Sequence, residues 1–330
     1  MIPAKEAKRL FFACLVLSSS VLCRCEGKSF PLDLAVSFPP VMCGDKVYLF
    51  SAEGRNQTLD PSEDAPSCNL FPLSPAAPPL CVDGKTYIAD SSGTLFVMKD
   101  GSPEELLRLD GRIIGVYDLD GLPAVVLERR VVIPGTGEIQ LPFAAVSAFR
   151  SASTLLVFGE KDGLALSGGK VSIAFGFAKG PVKAACVAGG MIAVGTDKAL
   201  FILDGKKGRI RKRLHTKSEI VALVMDGDRI ASASKDHMVR LLDLAGRVLW
   251  QVRVPGRPLG LWPHEKGFLT AIAAGRKMLL IDREKGAETW SFTLPEGEMI
   301  IPPSFSGSTA ALFAFGSKPQ PTLFLVDTPR

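Results

Sequence analysis

The chain has 330 residues, 47% hydrophobic and 22% charged, which is the composition of a folded globular protein and excludes a disordered one. The formal net charge is +5, but residues 1–25 hold four basic residues (Lys5, Lys8, Arg9, Arg24) against one acidic residue (Glu6), so the remainder carries only +2. That balance gives no compositional case for a nucleic-acid partner.

The first element is a leader. Lys5, Lys8 and Arg9 precede an apolar run from Leu10 to Leu22, and small residues follow near Cys25 to Gly27. The run is shorter than the about 20 apolar residues that span a bilayer. This order predicts a signal peptide over residues 1–27 and an exported domain over 28–330. Cuts after Cys25 and after Gly27 both fit. A lipidation cysteine would follow a small residue, whereas Cys23 follows Leu22 and Cys25 follows Arg24. Membrane contact is therefore expected only if the chain is lipidated.

Beyond the leader one unit recurs: a Gly-containing turn, a strand, a second turn and another strand. Its anchors are Gly44, Gly84, Gly121, Ser153, Gly190, Gly227, Gly267 and Gly307, spaced by 40, 37, 32, 37, 37, 40 and 40 residues. Within the units, short apolar and β-branched runs such as Thr86–Ala89, Leu95–Met98, Met191–Val194 and Leu200–Leu203 are split by Gly, Asp and Ser turns. No sustained helical period follows the leader. A period near 40 with about four strands per unit predicts an all-β fold, a single β-propeller of eight blades. The third and fourth units carry the weakest anchors, and seven blades is the alternative count. The last unit runs out at its third strand, Phe324-Leu325-Val326. The alternating run Phe30 to Val36 is expected to complete that blade and so remove an open sheet edge. Proline-rich residues 57–79 are read as an elongated connection inside the first blade.

Four cysteines lie outside the leader: Cys43, Cys68, Cys81 and Cys186. Export permits disulfides, and Cys43 with Cys68 or Cys68 with Cys81 are the expected pairs, against four unpaired buried thiols. Asn56-Gln57-Thr58 matches a glycosylation sequon, a pattern that also arises by chance.

The later blades carry a motif. Asp282, Gly286 and Trp290 stand four apart, Asp243, Gly246 and Trp250 repeat the pattern with one residue fewer, and Asp204 and Gly208 keep it with Lys212 where the tryptophan would stand. These turns resemble the repeat of the pyrroloquinoline-quinone-type propeller superfamily. Ile220 to Leu242, with Ser234-Lys235-Asp236, also resembles a WD repeat. The resemblance covers three of eight units by motif and the rest by period. Asp is expected to accept turn hydrogen bonds, Gly to supply a positive φ and Trp to staple neighbouring blades. Quinone dehydrogenases of that superfamily are much longer and resemble one another in an adjacent cysteine pair, which this chain lacks. In size it is similar to the non-enzymatic members, such as the propeller lipoprotein of the outer-membrane barrel-assembly machinery.

The chemistry-bearing residues form no known catalytic pattern. His215, His237 and His264 stand in no zinc spacing, and the chain has neither a nucleophile elbow nor a phosphate-binding loop. No catalytic residue, metal ligand or cofactor is assigned. One cationic cluster stands out: Lys206, Lys207, Arg209, Arg211, Lys212 and Arg213, followed by His215 and Lys217. It reads either as a patch for an acidic partner or as an outer edge strand kept soluble by its charges. The function expected is a monomeric protein-binding or assembly scaffold of the cell envelope, with another envelope protein as partner. The alternative is an enzyme or ligand binder holding a quinone, sugar or lactone in the central funnel.

Overall fold

The computed structural model describes residues 28–32, 34–62, 69–99, 101–177, 180–316 and 321–329. The expected leader, residues 1–27, lies outside them. The described residues contain no helix; they form eight antiparallel sheets, seven of four strands and one of five. In chain order the blades are residues 41–72, 80–108, 113–140, 147–176, 184–215, 220–253, 257–293 and 304–327. The eighth is completed by Lys28–Pro31, which pairs antiparallel with the third strand of that blade, Lys28 opposite Leu325 and Pro31 opposite Thr322. The first strand of each blade is innermost. Neighbouring inner strands pack side by side from blade 1 to blade 7, Trp262 of blade 7 meets Phe305 of blade 8 at 5.1 Å, and blade 8 returns to blade 1. The fold is therefore a closed eight-bladed β-propeller, and the alternative of seven blades falls.

The sequence makes blades because both faces of each middle strand are buried. Leu155-Leu156-Val157-Phe158 is fully buried along its length. Its period of two sends Leu155 and Val157 toward blade 3, and Leu156 and Phe158 toward blade 5. Repeating this around the ring divides the core into eight clusters, one at each blade interface. Middle strands such as Thr154–Phe158 and Met191–Gly195 consequently read as continuous apolar runs, without polar alternation. Outer strands such as Ser102–Arg108, Ile210–His215 and Val248–Arg253 are largely solvated and carry charge.

The eight sequence anchors all fall at the turn between the first and second strands. Gly44, Gly84, Gly121, Gly190, Gly227 and Gly307 have positive φ there; in blade 4 the left-handed residue is Ala152, beside Ser153. Gly267 answers to packing instead, since a Cβ there would stand 1.9 Å from the Ile281 carbonyl oxygen. The segment after the closing strand keeps the expected alternation: Phe30, Leu32, Leu34 and Val36 are all buried between blades 8 and 1.

Three expectations change. The disulfide joins Cys43 to Cys81, with Cα atoms 5.5 Å apart, because the inner strands of blades 1 and 2 lie side by side; Cys68, the expected partner of either, lies outside the described residues. Cys186 is a buried free thiol. The connection over 57–79 holds the outer strand Asn69–Pro72, paired with Arg55–Leu59, where Pro72 is tolerated because no further strand needs its N–H. The sequon residue Asn56 is fully buried and structural. Its Oδ1 accepts the Ser51 N–H at 3.0 Å, and its Nδ2 donates to the carbonyls of Phe71 and Leu73 at 3.1 and 2.6 Å.

Candidate partner-binding surface on blades 5 and 6

The cationic cluster occupies the last turn and outer strand of blade 5. Asp204 ends the third strand, and its carboxylate accepts the N–H groups of Lys206 and Lys207 at 2.8 and 3.0 Å. It also takes Nη2 and Nε of Arg211 at 2.6 and 3.2 Å. The Arg211 guanidinium foremost, with the two backbone donors, holds the Asp204 carboxyl down at about 2. Gly208 closes the turn at φ +64, and its N–H donates to the Asp204 carbonyl at 2.8 Å. The chain then runs out along Ile210–His215, most of it exposed.

Alternation splits the cluster. Arg211 is ion-paired with Asp204, and the Arg213 guanidinium lies 5.5 Å from the centre of the Phe201 ring, which belongs to the interface with blade 4. Leu214 packs into the interface with blade 6. Lys206, Lys207, Arg209 and Lys212 are exposed, and their side chains have no partner among the described residues. Of the six cations, Arg211 and Arg213 are engaged within blade 5, and the other four have no partner among the described residues.

The Asp/Gly/Trp turns do as their chemistry requires. Asp282 accepts the N–H groups of Glu284 and Lys285 at 2.9 and 2.7 Å, and those bonds depress its carboxyl. Asp243 accepts the Arg247 N–H at 2.8 Å and Nε at 2.6 Å, with the same result. Gly246 and Gly286 have φ +80 and +65. Each glycine is also a seat for the preceding blade. A Cβ on Gly208 would stand 2.5 Å from the Ala174 carbonyl, one on Gly246 2.8 Å from Leu214, and one on Gly286 2.7 Å from the Trp250 ring. Trp250 secures that seat by donating Nε1–H to the Arg283 carbonyl at 2.9 Å. Around it Arg283 pairs with Asp226 at 3.0 Å and Arg229 with Glu284 at 2.9 Å, joining blade 6 to blade 7 by ion pairs that composition and motif did not announce. Trp290 packs at the interface of blades 7 and 8.

The histidines are dispersed. His215 is on the outer strand of blade 5, His237 is in the turn after Asp236 at φ +65, and His264 bonds the Pro329 carbonyl at 2.7 Å. Among the described residues no group of three His, Cys, Asp or Glu could hold a metal ion.

A second place was not legible in the sequence. The turn Ala274-Gly275-Arg276 in blade 7 puts Ala274 and Arg276 at φ +58 and +52. With Glu298, Ile300 and His237 it borders two open cavities of about 580 and 520 Å³ between blades 6, 7 and 8. Side chains at positive φ are strained, and such strain gathers at ligand sites.

The fold defines the class: this is an eight-bladed β-propeller. Residues 151–298, which cover most of blades 4–7, match the family described as outer membrane protein assembly factor BamB. No curated protein matches the chain in sequence. Among solved structures, Sqt1 of Saccharomyces cerevisiae superposes with a TM-score of 0.70 at 11% identity, over 92% of this chain and 98% of that one. The computationally designed Ika8 protein gives 0.69 at 14% identity, with the same coverage. BamB from Moraxella catarrhalis gives 0.56 at 13% identity, over 74% of this chain and 96% of that one. Identities this low speak for the fold alone.

Proposed function

We propose that the chain is a monomeric protein-binding scaffold of the cell envelope, exported by its leader, which meets an acidic partner through the outer edge of blade 5. The carrying observation is the surface itself: Lys206, Lys207 and Arg209 in the last turn and Lys212 on the outermost strand are exposed and unneutralised among the described residues. The match of blades 4–7 to an outer-membrane assembly factor family supports the envelope as the setting and protein as the ligand. Charge of one sign at such an edge accelerates encounter with an acidic surface and repels a second copy of the same edge. The test is crosslinking in native envelopes followed by mass spectrometry. One envelope protein should be enriched, and should be lost when Lys206, Lys207, Arg209 and Lys212 are changed to glutamate. Recovery of the same protein by the charge-reversed chain would refute the reading.

A second reading rests on the strained turn of blade 7: a small ligand such as a quinone, sugar or lactone bound between blades 6 and 8. A thermal-shift screen of those three classes tests it. A shift that survives Arg276→Ala would place the ligand elsewhere.

A further inference from the structure

The repeat breaks once where it matters for binding. Lys212 stands opposite Ile202, just before the bulge in the outer strand of blade 5. Trp250 stands in the same register opposite Leu241 in blade 6, and Trp290 opposite Leu280 in blade 7. In blade 4 the position is Ile173, packed against the interface cluster of blades 4 and 5. Blade 5 alone of these four puts an exposed cation there. Leu214, two residues on, seats against Gly246 but does not fill the interface. What remains is a cavity of about 390 Å³ between blades 5 and 6, a volume in the range of ligand sites, about 300–1,000 Å³.

Its walls are mixed, with an apolar side formed by Leu200, Leu214, Ile220, Leu242 and Val248. Deeper in, Arg240 donates to Asp236 at 2.6 Å and to the Ser234 hydroxyl at 3.0 Å, which in turn donates to Asp236, so this polar group is internally satisfied. The Thr216 hydroxyl is not. It lines the same cavity, closed to solvent, with no partner among the described residues. An enclosed, unpaired hydroxyl is costly, so this side of the interface is imperfectly packed. The carboxylates in and near the cavity are already taken: Asp236 within it by Arg240 at 2.6 Å and, close in sequence to the lining residues, Glu219 by Lys235 at 2.9 Å and Asp243 by Arg247 at 2.6 Å. Lys217 lines the cavity without a partner among the described residues, and Lys212, likewise unpartnered, stands two residues before the lining residue Leu214 on the same strand. The uncompensated charge is therefore positive. Beside it Val248 and Leu249 are 50% and 51% exposed.

We propose that this cleft docks an aromatic side chain carried on an acidic segment of the partner protein, which supplies from outside the staple that Lys212 replaces. The proposal deepens the partner-binding reading of blade 5 and rests on it. The probe is a short fluorescein-labelled peptide with a central tryptophan flanked by Asp and Glu, titrated with the full chain and followed by anisotropy. It should bind at least about tenfold more tightly than the same peptide with a central alanine, the loss expected for truncating an anchor. Lys212→Glu with Lys217→Glu should weaken it by about tenfold or more. Lys212→Trp, which fills the cleft from within, should abolish binding and raise Tm. Equal affinity for the two peptides, both weakened by charge reversal, would sink the cleft and leave the cationic surface standing. Binding of neither peptide, or of anionic vesicles in their place, would overturn both. Undiminished binding to a folded Lys212→Trp chain would overturn the cleft alone. The comparison of the two peptides uses the unaltered chain, so it decides the matter even if that variant does not fold.

Discussion

Replacing Gly286 with alanine combines two costs that the structure lets one separate. At φ +65 an L-residue pays about 1–2 kcal/mol for the left-handed conformation. The new methyl would also stand 2.7 and 2.8 Å from Cδ2 and Cε3 of Trp250, which is held in place by its bond to the Arg283 carbonyl. Forcing a packed ring aside costs about 1–3 kcal/mol more, so the total expected is about 2–5 kcal/mol. Gly307 supplies the control: its φ is +55 and a Cβ there meets nothing within 4 Å, so Gly307→Ala should cost only the first part, about 1–2 kcal/mol. Trp250→Ala removes the obstacle, and in that background Gly286→Ala should fall to the cost at Gly307, a coupling of about 1–3 kcal/mol. Urea unfolding followed by far-ultraviolet circular dichroism reads these differences from the midpoints, provided the slope is unchanged. If Gly286→Ala costs no more than Gly307→Ala, or if its effect simply adds to that of Trp250→Ala, the turn is not a seat for the tryptophan.

Acid should weaken the fold through the turn carboxylates. The carboxyls of Asp204, Asp243 and Asp282 are all depressed below 3.8, Asp204 to about 2, so their contribution is present above pH of about 4 and is lost as pH falls toward 2. A melting series should show Tm falling over that window, with a shallower fall in Asp204→Asn; a flat profile would contradict the assignment. Breaking the Cys43–Cys81 bridge, with a sequence separation of 38, should cost up to about 4 kcal/mol by loop-closure entropy, measured as a drop in the urea midpoint of Cys43→Ser with Cys81→Ser. Deleting residues 28–37 removes the outer strand of blade 8 and the buried Phe30, Leu32, Leu34 and Val36, each worth about 1.5–3 kcal/mol before ordering costs. A large fall in Tm is expected, and an unchanged Tm would mean that the strand does not close the ring.

Much of the fold was legible because its repeat is written in local chemistry. The turn anchors sit where the chain reverses, and the missing fourth strand of the last unit was countable. The weak anchor at Ser153 has a cause: the left-handed residue in that turn is Ala152, which carries no glycine signature. What escaped the sequence depends on distances around the ring. Cys43 and Cys81 are joined because two inner strands are neighbours, which spacing along the chain does not encode. Asn56 matches a sequon by composition and is disqualified by burial. Lys212 was visible as a departure from the motif, but the cleft that Leu214 lines two residues on belongs equally to blade 6. The cationic run was visible too, whereas the pairing of Arg211 and the placing of Arg213 over Phe201 are not written in the run itself.

The closing strand sets synthesis against assembly. Lys28–Pro31 is made early, while its partner Thr322–Asp327 is made last, after every other blade. During that interval blade 8 does not exist, and the inner strand of blade 1 has a neighbour on one side only. Locking the ring is then the contact of longest sequence separation, the kind that forms slowly. A nascent chain that stalls or is cut before residue 322 holds a stack of blades with an uncovered apolar face where the last blade should close on the first, open to a second chain. One four-residue strand thus separates a discrete ring from a polymerising arc, and truncation near the C-terminus should turn a folding defect into an association defect.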